Sequence, residues 1–436
     1  MSGPQVRASR PAPMSIWWLR FDDQVASSLW FLPTCTAVVA YAVSRSLLAL
    51  DGHLDLSAAP ALLPESDPET MATVAATATA GMLTFLAVVF STTLVAVQLA
   101  SSQYSPRVVR VFVRSRVTQA ALAVFLSTFV VSLNALAGSG AASSVRAPVL
   151  TLTLMYVLLL ATVAMFVVFF HRIVRLLRVQ YLFLSISKEA HDVLDVELPI
   201  AAATVAAEAP TPDPDPQVLR HSGRPSSIQA ADLAGLASMA ARTGDRTWIE
   251  MHVRVGDHLG WGVRIASVHH GDETVTRSVE RHLVTGGERT QRQDTAFGIR
   301  QLVDAASRAL SPAVNDPTTA VQAIHRMTDL LARVVGRPDP TPWFTDTDDV
   351  VRVWMDQDGF ERLAVLAFTE VTRYGADAPQ VVRALRAAYA HLDDLAAEEH
   401  RAAIGRLSDL LDAAVDDAMP APYRSVSSRP DALGLG

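Results

Sequence analysis

Residues 148–170 read PVLTLTLMYVLLLATVAMFVVFF, a run without a charged side chain that is followed by Arg172, Arg175 and Arg178. A helix needs about 20 apolar residues to cross about 30 Å of hydrocarbon, so this run is long enough to span a bilayer. Three earlier runs share its character: Leu29–Leu50, Thr70–Ala100 and Thr118–Ala137. Arg45, near one end of the first, is the single charge in that run, and the other two have uncharged interiors. A charge at mid-helix costs about 2.5–3.5 kcal/mol on insertion scales, which is why spans lack them. Half of the 436 residues are hydrophobic, and the excess lies almost wholly before Arg172. The remainder reads as a water-soluble chain.

The loops set an expected orientation. Arg107, Arg110, Arg114 and Arg116 separate the second and third runs with no acid among them, whereas Asp51, Asp55, Glu65, Asp67 and Glu69 separate the first two with no Lys or Arg. The positive-inside rule then places both termini and the second loop in the cytoplasm of a bacterial inner membrane. Arg45 and Arg146 fall on the outer side, where their stems let them snorkel to headgroups. Trp17, Trp18 and Phe21 suit interfacial anchoring, and the first run, lacking a small-x-small cleavage pattern, reads as a retained signal anchor.

Net charge is −7, and Lys188 is the only lysine among 37 basic residues. That arginine bias reads as coding composition rather than selection for phosphate, so no nucleic-acid partner is expected. The single cysteine, Cys35, lies in an apolar run and excludes a disulfide framework or a Cys-based metal site.

Past Arg172 the fourth helix is expected to run on through Leu176, Val179 and Leu184 to about Glu197. A Pro-rich polar linker follows over 206–223, then a short helix over 230–241. Trp248–Val255 alternates, Gly256-Asp257 makes a turn, and Val263–Val268 reads as a second strand. This hairpin is similar to those of lipoyl- or biotinyl-type modules, but no lysine lies near it to carry such a group, so a plain β unit and no cofactor are expected. Asp294 is placed to cap a helix with the apolar stripe Phe297, Leu302, Val303, Ala306 and Leu310; Ser311-Pro312 ends it. Asp316-Pro317 starts the next helix. A short strand over Asp349–Met355 and helices over Phe360–Tyr374, Pro379–Glu398 and Glu399–Ala418 complete the reading, with disorder from Pro420 onward.

Two stretches carry a family resemblance. Gln98-Leu99-Ala100-Ser101-Ser102-Gln103-Tyr104-Ser105-Pro106-Arg107 closes the second run. The second stretch comprises Arg289-Thr290, Gln293-Asp294, Phe297-Gly298-Ile299 and Ala309-Leu310-Ser311-Pro312-Ala313-Val314-Asn315-Asp316-Pro317-Thr318-Thr319-Ala320. Both resemble signatures of a bacterial family of predicted membrane proteins, the domain of unknown function numbered 2254. The resemblance covers roughly residues 15–420 and departs at Ser222-Gly223-Arg224-Pro225, where the family more often has an aromatic or aliphatic residue after the glycine. It implies multi-span inner-membrane proteins with a cytoplasmic domain, and no activity.

The candidate functional residues fall into two groups. Thr70, Thr77, Thr84, Ser91 and Gln98 stand seven apart on the second run, as do Ser127 and Asn134 on the third. A seven-residue period keeps each set on one helix face, so they form either a helix-packing seam or the lining of a path in a homo-oligomer. The spans after the first hold no carboxylate, histidine or arginine array, which disfavours coupled transport. In the soluble part, Arg289, Asp294, Asn315 and Asp316 are candidates for a polar pocket between two helices, and Arg107 for coupling to the soluble domain. His252, His258, His269, His270 and His282 match no metal-ligand spacing, and no catalytic constellation is found.

The expected architecture is therefore an α-helical membrane domain of four transmembrane helices plus an α+β cytoplasmic domain with a small β unit and a helical bundle. Its segments are a cytoplasmic N-terminal segment (1–28), the membrane domain (29–170), a juxtamembrane helix and Pro-rich linker (171–227), the cytoplasmic domain (228–419) and a disordered tail (420–436). The expected function is non-enzymatic: a channel-like or transport-related protein with a regulatory cytoplasmic domain, or else a non-conducting membrane-anchored sensor or scaffold. The partners expected are the lipid bilayer, a further copy of the chain and an unidentified small molecule or ion.

Overall fold

A computed structural model describes residues 30–51, 53, 68–103, 115–139, 148–176, 178–201 and 210–428. Four helices occupy the apolar runs: α1 (Phe31–Asp51), α2 (Pro68–Gln103), α3 (Arg116–Ser139) and α4 (Val149–Leu176). All four are long and apolar enough to cross a membrane. They belong to one compact unit, which ends at Leu182; a second begins at Phe183.

Within the first unit α3 is central. Over half of its apolar window (56%) is buried inside the unit, against 11–28% for the other three helices. Its inward side chains include Ala121, Phe125, Val131 and Ala135, all fully buried. Small residues allow close approach between helices where lipid tails supply no hydrophobic drive. Gly138 shows the effect, since a Cβ there would lie 2.3 Å from the Leu48 side chain of α1. Edge-on aromatic pairs, Phe85–Phe125 at 5.0 Å and Phe125–Phe169 at 5.9 Å, fill the contact between α2, α3 and α4. Leu83, Val95, Leu160, Val163 and Val167 point outward, as lipid-facing side chains do. The start of α4 is capped by another helix: the Asp51 carboxylate, at the end of α1, accepts from the Leu150 and Thr151 amides and the Thr151 hydroxyl.

The fourth helix does not run on without interruption. It ends at Leu176, and α5 (Val179–Ala201) begins afresh. In the second unit, β1 (Gln217–Arg220), β5 (Arg264–His269), β3 (Trp248–Met251), β8 (Val351–Met355) and β7 (Trp343–Thr345) form a five-stranded sheet in that order. The β3–β8 pair is parallel and the other pairs are antiparallel. A three-stranded antiparallel sheet is ordered β4 (His258–Leu259), β2 (Ser226–Ala231), β6 (Leu283–Gly286). Helices α6 (Leu233–Thr243) and α7 (Glu273–Val279) share a core with these sheets through Leu236, Ala240, Ile249, Met251, Ile265, Val268, Val275 and Val353.

The remaining helices form a bundle: α8 (Thr295–Ala309), α9 (Pro317–Ala332), α10 (Phe360–Gly375), α11 (Pro379–Leu395) and α12 (Glu398–Ala418). Each buries one stripe, for example Leu363, Ala367, Phe368 and Val371 of α10. The four-helix membrane domain and the α+β second unit thus agree with the sequence reading.

Two boundaries are corrected. The segment read over 171–227 as a juxtamembrane helix and Pro-rich linker contains β1, whose residues pair with Val268 to Arg264 of β5, so the sheet starts before residue 228. The tail is not disordered from Pro420: α13 (Ala421–Ser427) follows it, Ser427 is buried, and Arg424 donates to the Met419 and Asp416 carbonyls. The expected hairpin is also shorter than read. Trp248–Met251 and Arg264–His269 do pair, but the chain between them leaves to place β4 in the other sheet.

Candidate functional site

The polar residues of the membrane unit separate into two sets. Ser127 and Asn134 point into the unit and are buried. The Asn134 amide donates to the Ser44 hydroxyl of α1 at 2.7 Å, and Ser44 donates to the Tyr41 carbonyl. Nearly two helical turns away along α3, the Thr128 and Thr162 hydroxyls lie 2.8 Å apart, and Thr128 also donates to the Val124 carbonyl. Thr77, Thr84, Ser91 and Gln98 instead stand exposed on the outer side of α2. Thr77 donates to the Thr73 carbonyl at 2.8 Å and Thr84 to the Ala80 carbonyl at 3.2 Å. These hydroxyls are thus bonded within their own helix. The two heptad sets do not face one another across the unit.

In the second unit, Arg289 grips Asp294 with a two-pronged fork, Nε to Oδ2 at 2.6 Å and a terminal nitrogen to Oδ1 at 2.9 Å. Asp294 is buried and also accepts the Phe297 amide, capping α8. The guanidinium lies over the Phe297 ring, 5.4 Å from its centroid. Burial pushes the Asp294 carboxyl above the ordinary carboxylate range, while the Arg289 fork and the Phe297 amide oppose that shift. Against burial, the Asp294 hydrogen bonds and the charges of Asp358 and Asp257 raise Arg289. Gly256, at φ +93°, closes the turn beside this pair; a Cβ there would sit 2.4 Å from Asp294 Oδ2 and 2.6 Å from Arg289 Nε. Arg254 on the same turn pairs with Asp358 at 2.8 Å and Asp356 at 3.5 Å, and Arg362 reaches the same two carboxylates. Alternating charges therefore join the turn after β3, the start of α8 and the start of α10.

Other parts of the second signature are structural. Gln293 accepts the Ala231 amide, and Gln291 reaches the Ile186 carbonyl of α5. Gly298 allows α5 and α8 to touch, because a Cβ on it would lie 2.8 Å from Ala190. Asn315 adopts a left-handed conformation (φ +48°), and Asp316 caps α9 through the Thr319 amide and hydroxyl. The expected pocket of Arg289, Asp294, Asn315 and Asp316 is not assembled. The first two stand at the start of α8 and the last two beyond its end, roughly 20 Å apart at 1.5 Å of rise per residue. Arg107 lies outside the described residues.

The five histidines disperse. His252 bonds Ser267, and His269 stacks on Trp248 at 4.0 Å and reaches Glu250. His270 reaches Asp213, His282 reaches Asp232, and His258 is exposed. Among the described residues no three His, Cys, Asp or Glu side chains gather as a metal site.

Sequence reasoning passed over Arg254, Asp356, Asp358 and Arg362, whose only signal was acids flanking the Gly359 helix start. It also passed over Arg352. This buried guanidinium donates to Asp346 at 2.8 Å and to the Gly244, Asp245 and Thr247 carbonyls at 3.0, 2.8 and 3.2 Å. Asp346 is buried too, and accepts the Asp348 and Val350 amides.

The family described as "Predicted membrane protein (DUF2254)" matches residues 26–391, which takes in all four apolar helices and the charged joint around Arg289. The chain belongs to this family. Similar curated proteins are an uncharacterised protein of Mycobacterium bovis and one of Mycobacterium tuberculosis, each 29% identical over 372 residues, spanning 83% of this chain and 71% of theirs. A counterpart from a second Mycobacterium tuberculosis strain is 28% identical over the same shares. No solved structure matches. As a DUF2254 member with four apolar helices, the protein is a membrane protein.

Proposed function

We propose that this DUF2254 protein is a non-conducting, membrane-anchored sensor or scaffold of the bacterial inner membrane, acting by binding through its second unit. The reading is carried by the closed interior of the four-helix unit. Its axis is occupied by α3, and the inward Ser44–Asn134 and Thr128–Thr162 pairs bond to each other. Arginines in the second loop and after α4 support a cytoplasmic second unit and cytoplasmic termini. The charged joint reads as structural, because its three guanidiniums are already engaged by carboxylates. Reconstitution into planar bilayers under voltage, tension and an osmotic gradient tests the reading. No conductance is expected; conductance altered by Thr84→Val and Ser91→Ala would overturn it.

One observation favours a second reading, a channel-like or transport-related homo-oligomer. Thr77, Thr84, Ser91 and Gln98 are exposed on α2, where they are free to line a path between copies. That reading requires Thr84→Cys, in a Cys35→Ser background, to cross-link copies in membranes.

A further inference from the structure

The end of β1 and the β4–β5 turn form one tip of the second unit. The His221 amide donates to the Val263 carbonyl and the Gly262 amide to the His221 carbonyl, both at 2.8 Å, and Arg220 donates to the Gly262 carbonyl at 3.0 Å. His221 also holds the Arg224 carbonyl at 3.0 Å. The tip is therefore built by its own bonds.

Two features of it are at odds with a surface meant only for water. Trp261 is 80% exposed, the most exposed of the large hydrophobic side chains described, and it stands between Gly260 and Gly262. Arg220 and Arg264 are register partners across β1 and β5, and like charges opposite each other weaken a sheet. Arg224 adds a third exposed positive charge and His258 is exposed beside them. Residues 217–231 and 258–271 contain no Asp or Glu, although the chain as a whole is acidic. Among the described residues none of these three arginines forms an ion pair. A like-charge pair beside a bare tryptophan suits an anionic partner with an apolar interior.

We propose that this tip docks on anionic lipid headgroups, with Arg220, Arg224 and Arg264 on phosphates and Trp261 at the level of the interface. Tryptophan favours the membrane–water boundary, and arginines near an anionic leaflet gain from its surface potential. The tip is carried on the same chain as four apolar helices, so the effective concentration of a bilayer partner is raised by the tether without any added affinity. RNA would also meet arginine and tryptophan, but the tether singles out lipid.

The test uses the full chain in nanodiscs, with Cys35→Ser and an environment-sensitive fluorophore on Gly260→Cys. A Cβ at Gly260 meets nothing closer than Val263 at 3.8 Å, so the label is tolerated and Trp261 is kept. Phosphatidylglycerol discs should blue-shift the label and shield it from the neutral quencher acrylamide, and phosphatidylcholine discs should not. Rising salt should reverse the effect. Each Arg→Gln change should lower the docked-to-free ratio about fivefold, and the triple variant about a hundredfold. The triple Arg→Lys variant should stay docked, because headgroup attraction needs charge and not the guanidinium fork, and Trp261→Ala should weaken shielding. Identical emission in the two discs would overturn the proposal. So would docking that survives the triple Arg→Gln change, loss of docking in the Arg→Lys variant, or a label shift produced by soluble RNA and not by anionic lipid.

Discussion

Arg352→Met is the substitution whose cost can be worked most directly from the structure. Methionine keeps much of the stem volume but removes five donors. Asp346, with a side chain 4% exposed, loses its one cationic partner among the described residues, and the carbonyls of Gly244, Asp245 and Thr247 lose a shared donor. Removing one member of a buried pair costs about 3–5 kcal/mol, because the other charge stays buried and uncompensated. Those carbonyls hold the loop between α6 and β3 against β8, so the loss should appear locally first. Hydrogen exchange in Trp248–Met251 and Val351–Met355, measured on the detergent-solubilised full chain, should accelerate by about two to three and a half decades. Arg352→Lys keeps the charge without the fork and should fall between. Burial would raise Asp346, but Arg352 and the Val350 and Asp348 amides outweigh it and hold the carboxyl below its ordinary value. A depressed carboxylate contributes stability above its unfolded pKa of about 3.9 and loses it as pH falls through the lower folded value. The gap between wild type and variant should therefore be full at pH 5–7 and narrow below about pH 4. A change under tenfold in β3 and β8, or an equal change in remote α12, would refute the reasoning.

Gly256→Ala should cost more than Gly262→Ala in thermal unfolding. Both have positive φ, at about 1–3 kcal/mol of backbone strain, but only the first also drives a methyl into Asp294 and Arg289. Asn134→Ala and Ser44→Ala should be coupled, with an interaction near 0.6 kcal/mol in a double-mutant cycle on detergent-solubilised protein. Additive effects would remove that bond from the account. Asp51→Asn should loosen the start of α4, since the carboxylate accepts three donors there, and a loss of about 0.5–2 kcal/mol in thermal stability is expected.

Much of the helical architecture was legible because apolar runs and 3.6-residue stripes are local signals. The caps at Asp294 and Asp316 were legible for the same reason. The sheet was not. β1 lies just beyond a Pro- and Asp-rich segment whose composition masks it, and β8 pairs in parallel with a strand about one hundred residues away. The period of Thr77, Thr84, Ser91 and Gln98 showed that they share a face, but a period has no sign. Only packing shows that the face is outward, with Ala75, Met82, Leu86 and Val89 turned inward. The same limit applies to the second signature. Adjacent motifs suggested one site, and the helix between them holds Arg289 and Asp294 far from Asn315 and Asp316.

The parallel pairing of β3 with β8 sets a timetable for synthesis. When Met251 leaves the ribosome its partner strand is still about one hundred codons away, which is roughly 5–20 s at ordinary elongation rates. Through that interval one side of the nascent sheet offers bare amides and carbonyls to any passing chain. A ribosome that stalls between those two points would therefore release an aggregation-prone fragment already threaded into the bilayer, and clearing it would fall to membrane-bound proteolysis.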